Sequence, residues 1–313
     1  MFITQKGARG IKMGKQYSRK IVRHGPGTCT ISIPADWMAE QKLKLSDTLN
    51  LYEENGDLLI RGGAKHEPKS IVVELTEMQE RFVRVIISKL YKNGFDEITV
   101  VYKQPKTKEI IRKEVSQNLI NFSVADETDE KCILRSVATD DSNEIQNLVK
   151  RTLYTMQEVA KLLAQRPDGW LENITELEQI NNQVTNYAQR LLTKFPSAST
   201  QGQSLYVATW QIEKIVDDCR SVAKKINALS QKDTKRYEES LNILFGLIEQ
   251  YKTAFFSPNI TVAEKFFVVC KKNIVQIAAL QKDEMQRDIL EIIKKLELIT
   301  SILIMQDTTR IKK

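Results

Sequence analysis

The 313-residue chain is predicted to be an α+β multidomain protein in three parts. A β head occupies residues 1–65 and a small α/β module residues 66–140. An all-α part fills residues 141–313, in halves near 141–230 and 231–313. Three observations carry this division. Apolar residues recur at helical spacing through nearly all of the last segment, which marks amphipathic helices. Alternating, β-branched runs are confined to the first two segments. Five of the twelve glycines fall within the first 27 positions, where turns are therefore expected.

Composition narrows the class. Apolar residues make up 42% and charged residues 28%, which fits neither a disordered chain nor a membrane protein. Apolar runs such as FFVVC and ILIM are soon interrupted, short of the ~18 residues that cross a bilayer. The start MFITQKGARGIKMGK lacks the apolar stretch of a signal peptide. Cys29, Cys132, Cys219 and Cys270 are scattered with no CxxC pair. A reducing, cytoplasmic setting is expected rather than a disulfide framework or a zinc knuckle. The net charge of +7 is localised. Residues 1–35 hold Lys6, Arg9, Lys12, Lys15, Arg19, Lys20 and Arg23 and no Asp or Glu, which leaves 40 charges of each sign elsewhere. A neutral body with a basic head points to a polyanion partner for the head.

The head opens with a strand over residues 19–23 that ends at the turn Gly25-Pro26-Gly27. TCTISI, residues 28–33, alternates with period two and puts Cys29, Ile31 and Ile33 on one face. Pro34 stops that strand and suits the first turn of a helix. ADWMAEQKL is then a short helix that packs through Trp37 and Met38. TLNLYEE and DLLIRG form a hairpin across Asn55-Gly56. So few aliphatics in a unit of about 50 residues make a poor core, and a second chain is expected to close it.

In the middle module, a strand over residues 71–75 leads into a helix from Thr76. Thr76 and Gln79 form its capping box and Gly94 its stop. A strand over 97–102 (EITVVY), a helix over 108–119 and two strand-like runs, NFSV and CILRSV, complete the module. In the last segment Leu177, Ile180, Val184, Tyr187 and Leu191 form one stripe. Tyr237 to Phe255 and Met285 to Leu303 form two more, and helices at 142–165, 204–228 and 262–281 show comparable stripes. Breakers at Pro167-Asp168-Gly169, Pro196 to Gln203 and Ser257-Pro258-Asn259 separate them. Six helices in two sets of three suggest an internal duplication, each half a three-helix bundle.

Enzyme chemistry is not expected. His24 and His66 are the two histidines, and GxxxxGK[ST], HExxH, GxSxG and DFG-like strings are absent. The tryptophans and free cysteines read as packing residues. The basic head reads as a DNA grip. Its cations continue from Lys12 and Lys15 into the first strand, among small residues that let backbone approach phosphate. On a strand, Arg19 and Arg23 face one way and Lys20 and His24 the other. In WQIEKIVDDCR, Glu213 and Asp217 share one helix face and can share one cation. That face is either a metal site, given oxygen ligands from a neighbouring helix, or a charged stripe with salt bridges inside the helix.

The string RKIVRHGPGTCTISIPADWMAEQKLKLSDTLNLYEENGDLLIRG resembles the AbrB/SpoVT/MazE swapped-hairpin domain. The shared features are its basic first strand, its T-x-S-I-P run, its Trp-containing helix and its L-x-x-x-D-x-L-x-L before a hairpin. The resemblance implies an intertwined homodimer that binds DNA through Arg19, Lys20, Arg23 and His24. The helical part resembles PhoU proteins, which hold two three-helix bundles with an E-x-x-x-D motif in each. EKIVD, with Glu213 and Asp217, matches that motif, whereas Glu178 is followed by Asn182 and Glu297 by Ser301. A divalent or ferric ion at the bundle is implied at most at Glu213 and Asp217. Together the two parts resemble archaeal PhoU-type regulators. That implies a DNA-binding regulator of phosphate uptake whose body engages a transporter or signalling protein. The alternative is an interaction scaffold for such proteins that binds no DNA.

Overall fold

Turn glycines and β-branched alternation place the strands ahead of the long helices. The computed structural model describes residues 16–54, 57–62, 68–75, 78–195, 201–257, 259–280 and 283–305. It is α+β, about 66% helical, with its sheets toward the N-terminus and a helical C-terminal part.

In the head, β1 (Val22–Arg23) pairs antiparallel with β2 (Cys29–Thr30), with Arg23 opposite Cys29. Gly25 and Gly27 take positive φ, +82° and +79°, in the turn between them, a region open to glycine. Both strands are shorter than the alternation predicts. A lone two-stranded ribbon is marginal without something to pack on, and Arg19 and Lys20 precede β1 rather than lying on it. α1 (Ala35–Glu40) follows Pro34, with Trp37 and Met38 half-buried. β3 (Leu49–Glu54) and β4 (Asp57–Gly62) form the expected hairpin, Leu51 opposite Ile60; its turn lies outside the described residues.

The middle module comprises β5 (Ser70–Leu75), α2 (Glu80–Lys92), β6 (Glu97–Tyr102), α3 (Pro105–Asn118), β7 (Phe122–Glu127) and β8 (Lys131–Ser136). The sheet order is β5-β6-β8-β7. β5 and β6 are parallel, joined by the α2 crossover, and the other pairs are antiparallel. Alternation buries Ile71, Val73 and Leu75 on β5 and Ile98, Val100 and Tyr102 on β6. α2 starts at Glu80 behind an extended Gln79; Thr76 lies outside the described residues. α3 starts before residue 108 because Pro105 occupies its first turn, where a missing N–H is harmless.

The body holds α4 (Ile145–Gln165), α5 (Trp170–Lys194), α6 (Gly202–Asn227), a short α7 (Gln231–Thr234), α8 (Glu238–Phe256), α9 (Ile260–Leu280), α10 (Glu284–Leu298) and α11 (Thr300–Met305). α4, α5 and α6 pack on one another, and so do α8, α9 and α10; α4–α8 and α6–α10 contacts join the trios. The stripe from Met285 to Leu303 runs on, but the helix breaks at Ile299 (φ −81°, ψ 0°). The Tyr251 hydroxyl donates to the Ile299 carbonyl at 3.3 Å, taking an acceptor that the helix would otherwise use. Among the described residues no helix is long and apolar enough to cross a membrane.

One hydrophobic core runs from Ile71 on β5 to Leu303 on α11, so the α/β module and the body are a single packed unit. α5 is the spine between them. Arg190 on α5 donates through Nε to Asp140, through Nη1 to the carbonyls of Tyr91 and Phe95, and through Nη2 to Asp96. Lys194, one turn on, donates to Asp96 at 2.6 Å and to Asp140 at 2.7 Å. The head takes no part in this core: none of its residues with a described burial is buried.

Candidate nucleic-acid interface and the helical carboxylates

Arg19, Lys20, Arg23 and His24 are exposed, while Lys12 and Lys15 lie outside the described residues. The His24 N–H donates to the Thr28 carbonyl at 2.8 Å, which closes the β1–β2 turn and holds the basic segment at its edge. Arg19 donates to the Ser18 carbonyl at 2.9 Å and lies 5.7 Å from the centre of the Tyr17 ring. Among the described residues none of these four side chains pairs with a carboxylate.

The head also has an uncovered apolar side. Direct pairing of Leu51 with Ile60, and the two-residue period of a strand, put Leu49, Leu51, Leu58 and Ile60 on one face. Leu51 and Leu58 are 58% and 57% exposed, and Leu45 is 90% exposed. Beside that face lies a groove of 390 Å³ lined by Tyr17, Ile31, Ile33, Pro34, Trp37 and Ile60.

On α6, Glu213 and Asp217 do share one cation, and it is an ammonium. Lys214 Nζ donates to Glu213 at 3.0 Å and to Asp217 at 2.9 Å. Burial alone would lower the Lys214 pKa, but the two carboxylates outweigh it and hold it above the ordinary lysine value. Across on α5, Asn182 donates to Glu178 at 2.8 Å, and Arg220 approaches Glu178 at 3.6 Å. Burial pushes the Glu178 carboxyl above its usual range, against the pull of Arg220. Glu297 pairs with Lys271 at 3.2 Å. Among the described residues no group of three or more His, Cys, Asp or Glu is placed to hold a metal ion. An ammonium bridges the two carboxylates, and across the face the Glu178 carboxylate is taken by the Asn182 amide. The donor set fits salt bridges inside the helix rather than a metal.

Cys132, Cys219 and Cys270 are buried, as expected of packing residues, and burial raises their thiol pKa values to about 11, 12 and 12. Thiols so raised are inert at neutral pH. Two packing expectations fail: Cys29 is exposed, and Trp210 is 48% exposed beside a cleft. Sequence reasoning also missed the polar spine of α5, where Asn181, Thr185, Gln189 and Arg190 are wholly buried. The run INNQVTNYAQR sets its polar residues opposite the apolar stripe, as on a half-exposed helix, and the structure buries side chains on both sides. Such a helix needs partners on more than one face.

Comparison of the chain with known protein families, with curated proteins and with solved structures finds no match.

Proposed function

We propose that this chain is a DNA-binding transcriptional regulator. Two copies of the β head close on each other and grip DNA, while the helical body senses a partner or signal. One observation carries the reading. The head combines four exposed groups, Arg19, Lys20, Arg23 and His24, that pair with no carboxylate among the described residues, with an uncovered apolar face outside the hydrophobic core. A second copy of the head is the occupant that this face suits, because pairing the faces supplies the core each lacks. Doubling the head also doubles Arg19, Lys20 and Arg23, which sets six permanent cations against the phosphates of one duplex. The resemblance of the head to AbrB-type domains and of the body to PhoU proteins supports regulation of phosphate uptake as the setting.

Salt dependence tests this directly. Neutralising six phosphates gives a slope of about −5 in log K against log salt concentration. Binding of the intact protein to duplex DNA with such a slope supports the regulator. Absence of binding at low salt removes it and leaves the transporter or kinase scaffold.

A further inference from the structure

A cleft of 610 Å³ separates the α/β module from the body. Four helices wall it: α2 supplies Lys92, α3 Asn118, α5 Asn186 and Gln189, and α6 Tyr206 and Trp210. Its floor is polar and incompletely paired. Gln189 is wholly buried, yet neither atom of its amide finds a hydrogen-bond partner among the described residues. The same holds for Asn182 Oδ1 and Glu213 Oε2, on residues that line the same cleft. Lys92 Nζ stops 3.8 Å from Glu213 Oε2, beyond hydrogen-bond reach, with its side chain 13% exposed. Buried polar groups are almost always paired. Several unpaired ones around a single cleft mark a place where a bound molecule can supply the partners.

We propose that this cleft binds a nucleoside monophosphate. Its volume lies in the range of small-molecule sites and exceeds what an inorganic anion fills. Arg84, Lys89, Lys92 and Lys214 line it against two carboxylates, Glu114 and Glu213. Arg84 is paired with Glu80 and Glu114, and Lys214 with Glu213 and Asp217, so Lys89 and Lys92, in the last turn of α2, are the cations that meet a phosphomonoester. A glutamine amide sets a donor beside an acceptor, the pattern that pairs with the edge of adenine. Tyr206 and the half-exposed Trp210 offer ring faces on which a base can stack. Gln189 is closed off from solvent, so the side chains at the mouth part as the base enters. None of these residues belongs to the head, so the site stands or falls separately from DNA binding.

The test is calorimetric titration of the full chain with AMP, GMP, adenosine and inorganic phosphate. Saturable binding of AMP is expected, with adenosine and phosphate each at least about tenfold weaker because each leaves half of the site empty. Trp210→Ala and Lys92→Met should each weaken AMP by about tenfold or more. Gln189→Leu should weaken it similarly while the melting temperature holds or rises, since the change removes an unpaired buried amide. That combination separates a ligand contact from a packing role. No heat from either nucleotide up to about 1 mM would overturn the proposal. So would phosphate or adenosine binding as tightly as AMP, or AMP affinity unchanged in all three variants.

Discussion

The guanidinium of Arg190 donates to the carboxylate of Asp140 at 3.0 Å, and both side chains are 1% exposed. The pair ties α5 to the segment that enters α4, and Asp96 and Lys194 complete the network. The Tyr91 and Phe122 rings flank the guanidinium, each centred 5.0 Å away. Removing one member of a buried pair strands the other's charge. Arg190→Met should therefore cost about 3–5 kcal/mol, read from urea unfolding. Arg190→Lys keeps the charge but loses the planar fork and should fall between. A loss under about 1 kcal/mol for Arg190→Met would mean that the network is not what joins the layers.

Asp96 gives that junction a pH dependence. Burial raises its pKa, but the Lys194 ammonium, the Lys69 N–H and Arg190 outweigh burial and hold it below the ordinary value. A carboxyl depressed in the folded state contributes stability above its unfolded pKa, about 4, and loses it as pH falls through the folded value. Asp96→Asn should thus be less stable than the parent at pH 7, and the gap should shrink as the medium is acidified below about pH 4. Unfolding curves at a series of pH values check this; a gap independent of pH would contradict the ionic account.

Gly94 is required twice over. Its φ is +79°, and a Cβ there would stand 2.7 Å from Lys194 Cγ. Gly94→Ala should cost at least about 1–2 kcal/mol from the backbone alone, with more from displacing Lys194 out of the Asp96–Asp140 pair. Gly25 has the same sign of φ and open space around it, so Gly25→Ala should cost the backbone part only. Thermal melts that rank the two in the reverse order would refute the close-approach argument.

The uncovered head face predicts an oligomer. Sedimentation equilibrium of the intact chain should give a dimer, and Leu51→Lys with Leu58→Lys should give monomers whose melting temperature is unchanged. The second readout matters, because the core begins only at Ile71. A double variant that remains dimeric would place the interface elsewhere.

How legible the molecule was depends on where neighbours decide. The β6 strand and the long helices follow from local alternation or helical stripes, and they bury most of the predicted residues, with Leu177 and Ile180 half-buried. The hairpin of β3 and β4 follows from turn chemistry at Asn55-Gly56. The strand ends at Arg19 and Ile33 were over-read, because ladder length depends on what the ribbon packs against. Glu213 and Asp217 were placed correctly on one face, but their partner, Lys214, is decided by a side-chain rotamer that no periodicity reveals. Arg190 and Gln189 were hidden for a related reason. A buried cation or amide reads as exposed until the residues it bonds, some 50 to 99 positions away for Arg190, are seen beside it.

The central claim is that the head is a DNA grip. Fluorescence anisotropy of a labelled duplex, with the intact protein beside an Arg19→Ala/Lys20→Ala/Arg23→Ala variant at about 50 and 200 mM salt, tests it most directly. The account predicts parental affinity that falls by about a thousandfold between the two conditions, and a folded, dimeric variant whose binding is lost at both. Parental binding insensitive to salt, or a variant that binds as the parent does, would contradict it.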